Sequence, residues 1–206
     1  MTEEAGWPRP PLEQLPSLHR PPTRPVVDHT GLLANPLNNK PFRLLDDATP
    51  LDYEELFPDT TYVSPGFEYL TDERGLPARV RGALRLAPKA QRVRHSVVQA
   101  AVGRTSTSSA GDNSQAVFQG GHIVAVSLGG YASGPNLFPQ EHNFNISAYA
   151  RLEHGWRRAL ADGVTVEVDI ALTLDADPLV PQFVVVTYWE DGEEWEHVLL
   201  NESSAQ

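Results

Sequence analysis

The most regular spacing of hydrophobic side chains lies in the last third of the chain. Tyr149, Leu152, Trp156 and Leu160 recur at i, i+3, i+7 and i+11, one face of a helix. The spacing predicts a helix over 147–161, stopped by Gly163. Residues 164–172 then alternate. Val164, Val166, Val168 and Ile170 point one way, and Thr165, Glu167 and Asp169 the other, as in a half-buried strand. Two further strands, 183–189 and 195–200, flank the hairpin signal Asp191-Gly192.

The middle of the chain is less regular. Residues 60–70 and 78–86 read as strands around the turn Asp72-Glu73-Arg74-Gly75. Residues 92–103 fit a helix or an irregular segment, and 105–115 a Ser/Thr/Gly/Asn loop. Residues 122–128 are apolar enough for a buried strand ended by Gly129-Gly130, and Gly, Pro and Asn make 133–144 a loop. Residues 51–57 suggest a short helical turn. Strands, one core helix and more strands predict an α+β fold with antiparallel pairing. Ten of the 18 prolines fall in the first 50 residues. Proline lacks an N–H donor and fixes φ, so 1–50 is expected to be a tail or linker, with the domain over 51–206.

Composition narrows the chemistry. The 206 residues contain no cysteine, which removes disulfides, zinc-thiolate sites and cysteine nucleophiles. No apolar run approaches the ~20 residues of a membrane helix. The acids and prolines of residues 1–10 are unlike a signal peptide. The net charge is −11, which taken whole disfavours a nucleic-acid partner. Its distribution is uneven: 61–111 hold 8 basic and 3 acidic residues, whereas 161–206 hold 11 acids and no base. Fields are local at a Debye length of ~8 Å, so the central segment can still face phosphates. A solvated face is the plainer reading of the same charges.

Polar residues with chemical potential cluster after residue 119. His122 follows two glycines, which permit close approach of backbone or ligand. Asn145 precedes the predicted helix and Glu153 lies about 2.2 turns further, on a similar side. An amide oxygen and a carboxylate near one point suit Mg²⁺, and a histidine opposite suits a general base. The same residues also read as a hydrogen-bonded histidine and Asn-rich turns.

The ordered runs Gly120-Gly121-His122-Ile123-Val124-Ala125, Leu128-Gly129-Gly130, Asn136-Leu137-Phe138-Pro139-Gln140, Asn143-Phe144-Asn145 and Tyr149-Ala150-Arg151-Leu152-Glu153 resemble the DNA/RNA non-specific endonuclease family. The similarity covers about 60–201 and is nearest to the nuclease domains of bacterial polymorphic toxins. The resemblance implies a ββα-metal (His-Me finger) fold whose core helix carries the metal site. It implies His122 as general base, Asn145 as direct ligand of one Mg²⁺ (Mn²⁺ as substitute), and Glu153 as holder of a metal-bound water. Asn136 would orient the site and the scissile phosphate, with Gln140 supporting the loop. Arg151 would be the helix arginine beside the metal, and Arg94, or alternatively Arg92, the phosphate-contacting arginine.

One departure is Gln119, where the family's D-R-G-H motif begins with Asp. This removes a carboxylate that could orient His122, for which Asp112 is a possible substitute. The arginine slot is Gly120, a form common in the toxin-like subgroup. The implied activity is sugar-non-specific hydrolysis of DNA, RNA or both to 5′-phosphate products. The toxin-like resemblance further implies an immunity protein as partner. It also implies export by a non-classical route and action in the cytoplasm of a target cell. Two non-enzymatic readings stay open on sequence alone: an inactive nuclease fold serving as a binding module, and an acidic nucleic-acid mimic.

Overall fold

A computed structural model describes residues 33–34, 41–45, 51–89, 92, 95–107, 118–142, 144, 148–173 and 179–201. Ten strands are present among them: β1 Leu33–Ala34, β2 Pro41–Leu44, β3 Thr61–Ser64, β4 Phe67–Thr71, β5 Pro77–Ala83, β6 Phe118–His122, β7 Leu137–Glu141, β8 Val166–Thr173, β9 Phe183–Glu190 and β10 Glu193–Leu200. The two long helices are α1, Ser96–Thr107, and α2, Ala148–Ala161.

Eight strands form one sheet in the order β1-β2-β3-β4-β5-β8-β9-β10. Its pairs are antiparallel except β2–β3, which is parallel, so the expected wholly antiparallel sheet is a mixed one. Strands from the proline-rich N-terminal part, β1 and β2, extend the sheet at one edge. Strands β6 and β7 make a separate antiparallel pair, with His122 opposite Leu137.

The alternation of β8 is realised as drawn: Val166, Val168, Ile170 and Leu172 are buried, and Glu167 is exposed. Asp191 and Gly192 close the β9–β10 hairpin with positive φ at both positions, the geometry of a tight I′ turn. Tyr149 and Trp156 of α2 are buried, and Leu152 and Leu160 pack beside them. The Trp156 ring meets Tyr188 of β9 edge-on at 5.5 Å. One hydrophobic cluster joins these residues to Tyr62, Tyr69, Val80 and Val186 of the sheet, Val102 of α1 and Phe138 of β7.

Several boundaries differ from the sequence reading. The single strand expected over 60–70 is two strands, β3 and β4, folded at Pro65-Gly66, where Gly66 takes φ +90°. The helix-or-irregular segment is helical from Ser96, and α1 runs on to Thr107, into the expected loop. The buried strand expected over 122–128 ends at His122; Val126–Leu128 is a 3-10 turn. The loop expected over 133–144 contains β7, all five of whose residues are buried. Among the described residues the core therefore has two long helices, not one.

Candidate active site

The site is built where β6, β7 and α2 meet. Helix α1 lies directly against β6, because a Cβ on Gly120 would fall 2.1 Å from the Gln99 carbonyl oxygen. A Cβ on Gly121 would fall 1.9 Å from Gln140 Oε1, so the glycine pair lets α1 and Gln140 close on the strand. Gln140 is fully buried, and its Nε2 donates to the His122 carbonyl at 3.1 Å.

His122 stands at the C-terminal end of β6. Its Nε2 lies 3.3 Å from the Ala132 carbonyl oxygen. A carbonyl only accepts, so Nε2 is the protonated nitrogen at this contact, and in a neutral ring the lone pair is on Nδ1. Nδ1 lies 3.5 Å from Nε2 of Gln99.

The chain leaving His122 is stapled to α2 and to β7. The Tyr149 hydroxyl donates to the Ile123 carbonyl, and the Ala125 N–H bonds the Glu153 carboxylate. Burial holds the Tyr149 hydroxyl far above its usual range, with the Glu153 charge adding to the effect. Tyr149 is therefore a firm neutral donor. Asn136 is fully buried and clamps the same stretch. Its Oδ1 accepts from Val124 N at 2.9 Å, and its Nδ2 donates to Val124 O at 2.8 Å and Tyr131 O at 2.6 Å. Both amide protons are thus spent on backbone. In this structure Asn136 holds the loop, and its N–H groups reach a phosphate only if that clamp opens.

Glu153 is 17% exposed and pairs with Arg157 one turn on, at 2.9 Å. Burial pushes its carboxyl above the ordinary range, while Arg157 and the Ala125 N–H pull it back. Arg157 also reaches Ser127 Oγ at 3.2 Å. It is the helix arginine joined to Glu153, whereas Arg151 is exposed on the same helix. The pair was missed in the sequence, although its i, i+4 spacing was a usable signal.

Of the expected site residues, the structure brings His122, Asn136, Gln140 and Glu153 together around residues 121–125. Arg94, Asn145, Asn143 and Asp112 lie outside the described residues. Arg92 is exposed and donates to the Ala87 carbonyl at 3.0 Å. Gln119 meets His142 Nδ1 at 3.2 Å and alternates away from His122 along β6. The departure at 119 therefore does not touch the His122 ring directly, which weakens the motive for reading the fold as inactive.

The basic middle segment is partly spent on internal pairing. Arg74 pairs with Asp72, and Arg79 and Arg81 together clasp Asp169 from the acidic C-terminal part. Asp169 thus neutralises charge that a phosphate groove would otherwise draw on.

Among the described residues no three His, Cys, Asp or Glu side chains converge as a metal cage. Also among them, no helix is long and apolar enough to cross a membrane. A search of curated proteins finds no match. The sequence profile of the DNA/RNA non-specific endonuclease family matches residues 58–192, more than half of the chain and the whole of the site just described. This protein belongs to the DNA/RNA non-specific endonuclease family.

Proposed function

We propose that the chain is a metal-dependent endonuclease of the His-Me finger type that hydrolyses the phosphodiester backbone of DNA and RNA. The observation that best supports this is the state of His122. Its Nε2 faces the Ala132 carbonyl, which makes Nδ1 the basic nitrogen of the neutral ring, at the C-terminal end of β6. Nδ1 takes a proton from water as the water oxygen bonds to phosphorus in line. The bond from phosphorus to the 3′ oxygen then breaks, and that oxygen is protonated from solvent. The products are a 5′ phosphate and a 3′ hydroxyl. Base catalysis of this kind contributes about 10²–10⁴-fold.

Family members are metal-dependent in general, and the donor chemistry here suits a hard cation. Glu153 offers a carboxylate that burial leaves under-solvated, a penalty a nearby cation relieves. Mg²⁺ keeps several waters, so one or two protein oxygens suffice to hold it. Asn145 and, through water, Glu153 are the residues we assign to holding Mg²⁺ or Mn²⁺. The ion supplies Lewis-acid stabilisation of charge on the phosphate. Arg94 contacts the phosphate in this reading, and Arg157, with its Glu153 tether, takes the place expected of Arg151. Backbone contacts carry no base information, so sequence preference is weak. A toxin role, with an immunity protein covering the cleft, belongs to the same reading.

The test is digestion of plasmid DNA and of total RNA with Mg²⁺ or Mn²⁺, and with EDTA. Metal-dependent cleavage that leaves 5′ phosphates is expected. Intact nucleic acid in every condition, from folded protein, would overturn the proposal.

A further inference from the structure

The motif around His122 leaves one neighbour without a role. Gln99 belongs to α1, 23 residues before His122, and is half-buried against β6. Its Nε2 lies 3.2 Å from the Gly120 carbonyl oxygen and 3.5 Å from His122 Nδ1. The Gly120 carbonyl fixes which way the carboxamide faces. Turned over, the amide would bring two oxygens together, so the NH₂ group must sit on this side. Its two protons then serve two acceptors, Gly120 O and His122 Nδ1.

We propose that Gln99 is a positioning residue of this site, and that it holds His122 as the neutral Nε2–H tautomer with its lone pair on Nδ1. The proposal rests on His122 acting as the base. The Ala132 carbonyl demands a proton on Nε2, and the Gln99 amide demands none on Nδ1. The two contacts select one tautomer from opposite sides of the ring. A proton on Nδ1 would face an amide N–H, so the charged ring and the other tautomer are both disfavoured. The Gly120 bond is the shorter of the two. It keeps the amide in place when a water takes the longer contact at Nδ1. Gln99 thus orients the base through its ring and the Gly120 carbonyl, without touching the substrate. Gly120 is part of the same device, since a Cβ there would push α1, and Gln99 with it, off the strand.

The experiment is a long-range ¹H–¹⁵N spectrum of the imidazoles in the ¹⁵N-labelled full chain in EDTA. His122 is assigned from the signals missing in His122→Ala. The wild type is expected to show one tautomer, protonated at Nε2, with the Nδ1 signal displaced by a hydrogen bond. In Gln99→Leu that signal moves toward a free imine nitrogen and the second tautomer appears. In Gln99→Glu, of nearly the same shape, the carboxylate accepts instead of donating, and protonation at Nδ1 grows. With Mg²⁺, kcat falls about tenfold or more in Gln99→Leu and further in Gln99→Glu, while KM stays within about twofold. A residue that only packed α1 on β6 would tolerate the isosteric glutamate better than leucine. His122 ring signals unchanged in both variants, with the backbone amide fingerprint preserved, would overturn the proposal. So would a wild-type ring protonated at Nδ1. Ring signals that respond as expected in a protein without nuclease activity would uphold the positioning and refute the base.

Discussion

Replacing Asn136 with alanine separates two roles for this residue, contact with the phosphate and support of the loop. The side chain is fully buried, with amide hydrogen bonds of 2.9, 2.8 and 2.6 Å to Val124 N, Val124 O and Tyr131 O. Each such bond is worth about 1 kcal/mol net, and a buried N–H left without a partner costs about 1–3 kcal/mol. The substitution removes all three and strands the Val124 N–H, so the loss is about 4–6 kcal/mol. That is a large part of the 5–15 kcal/mol typical of a whole domain. With m of about 1–3 kcal/mol/M, the urea midpoint falls by about 1 M or more. The assay is urea unfolding followed by fluorescence, with the slope checked for constancy, and cleavage measured below the transition. Activity per folded molecule is expected to drop through kcat, because the stretch after His122 loosens, with KM little changed. A midpoint shift under about 0.3 M together with a large rise in KM would refute the clamp and favour direct phosphate contact.

Other predictions follow from the same geometry. Gly121→Ala places a methyl 1.9 Å from Gln140 Oε1. It should cost about 1–3 kcal/mol in urea melts, and Gln140→Ala in the same chain should recover part of that loss. Arg157→Ala should cut kcat/KM more than tenfold, whereas Arg151→Ala, an exposed position, should change it less than threefold; the reverse ranking would restore Arg151 as the arginine of the site. Its stability cost should be only about 0.5–1 kcal/mol, since Arg157 is 31% exposed. Bonds from the Thr165 backbone and hydroxyl hold the Asp191 carboxyl below its ordinary 3.8. A lowered folded-state value favours folding above 3.8, and that contribution is lost as pH falls through the folded value. Asp191→Asn keeps the turn, so acid titration of both proteins should show the wild type losing its advantage only below about pH 4.

The parts of the fold that read clearly from sequence are those with one wet face. Helix α2 and strand β8 each bury one stripe, so Tyr149, Leu152, Trp156 and the valines of β8 announce their period. Strand β7 buries all five residues and contains Pro139, so it has neither alternation nor a full set of donors, and it passes for a loop. Helix α1 mixes Ser, Thr, Gly and Gln with its apolar residues, which blurs its face. The Pro65-Gly66 turn is a signal that the longer run of 60–70 concealed.

The site divides in the same way. His122 and Glu153 stood out as candidates because ordered motifs carry them. Gln99 was not, because it meets His122 only after α1 folds onto β6. Asn136 was visible as a residue, but its role depends on three backbone partners that spacing cannot reveal. The basic character of 61–111 was read correctly as a count. How much of it is spent on Asp169 shows only in three dimensions.

The central claim is that His122 is the base of a phosphodiester hydrolase. It is tested most directly by single-turnover cleavage of labelled DNA and RNA by the wild type and His122→Ala, matched for folding by circular dichroism and for substrate affinity in EDTA. The account predicts unchanged affinity and cleavage reduced by at least about 10²-fold in the variant. Cleavage by His122→Ala at a rate close to wild type would contradict it.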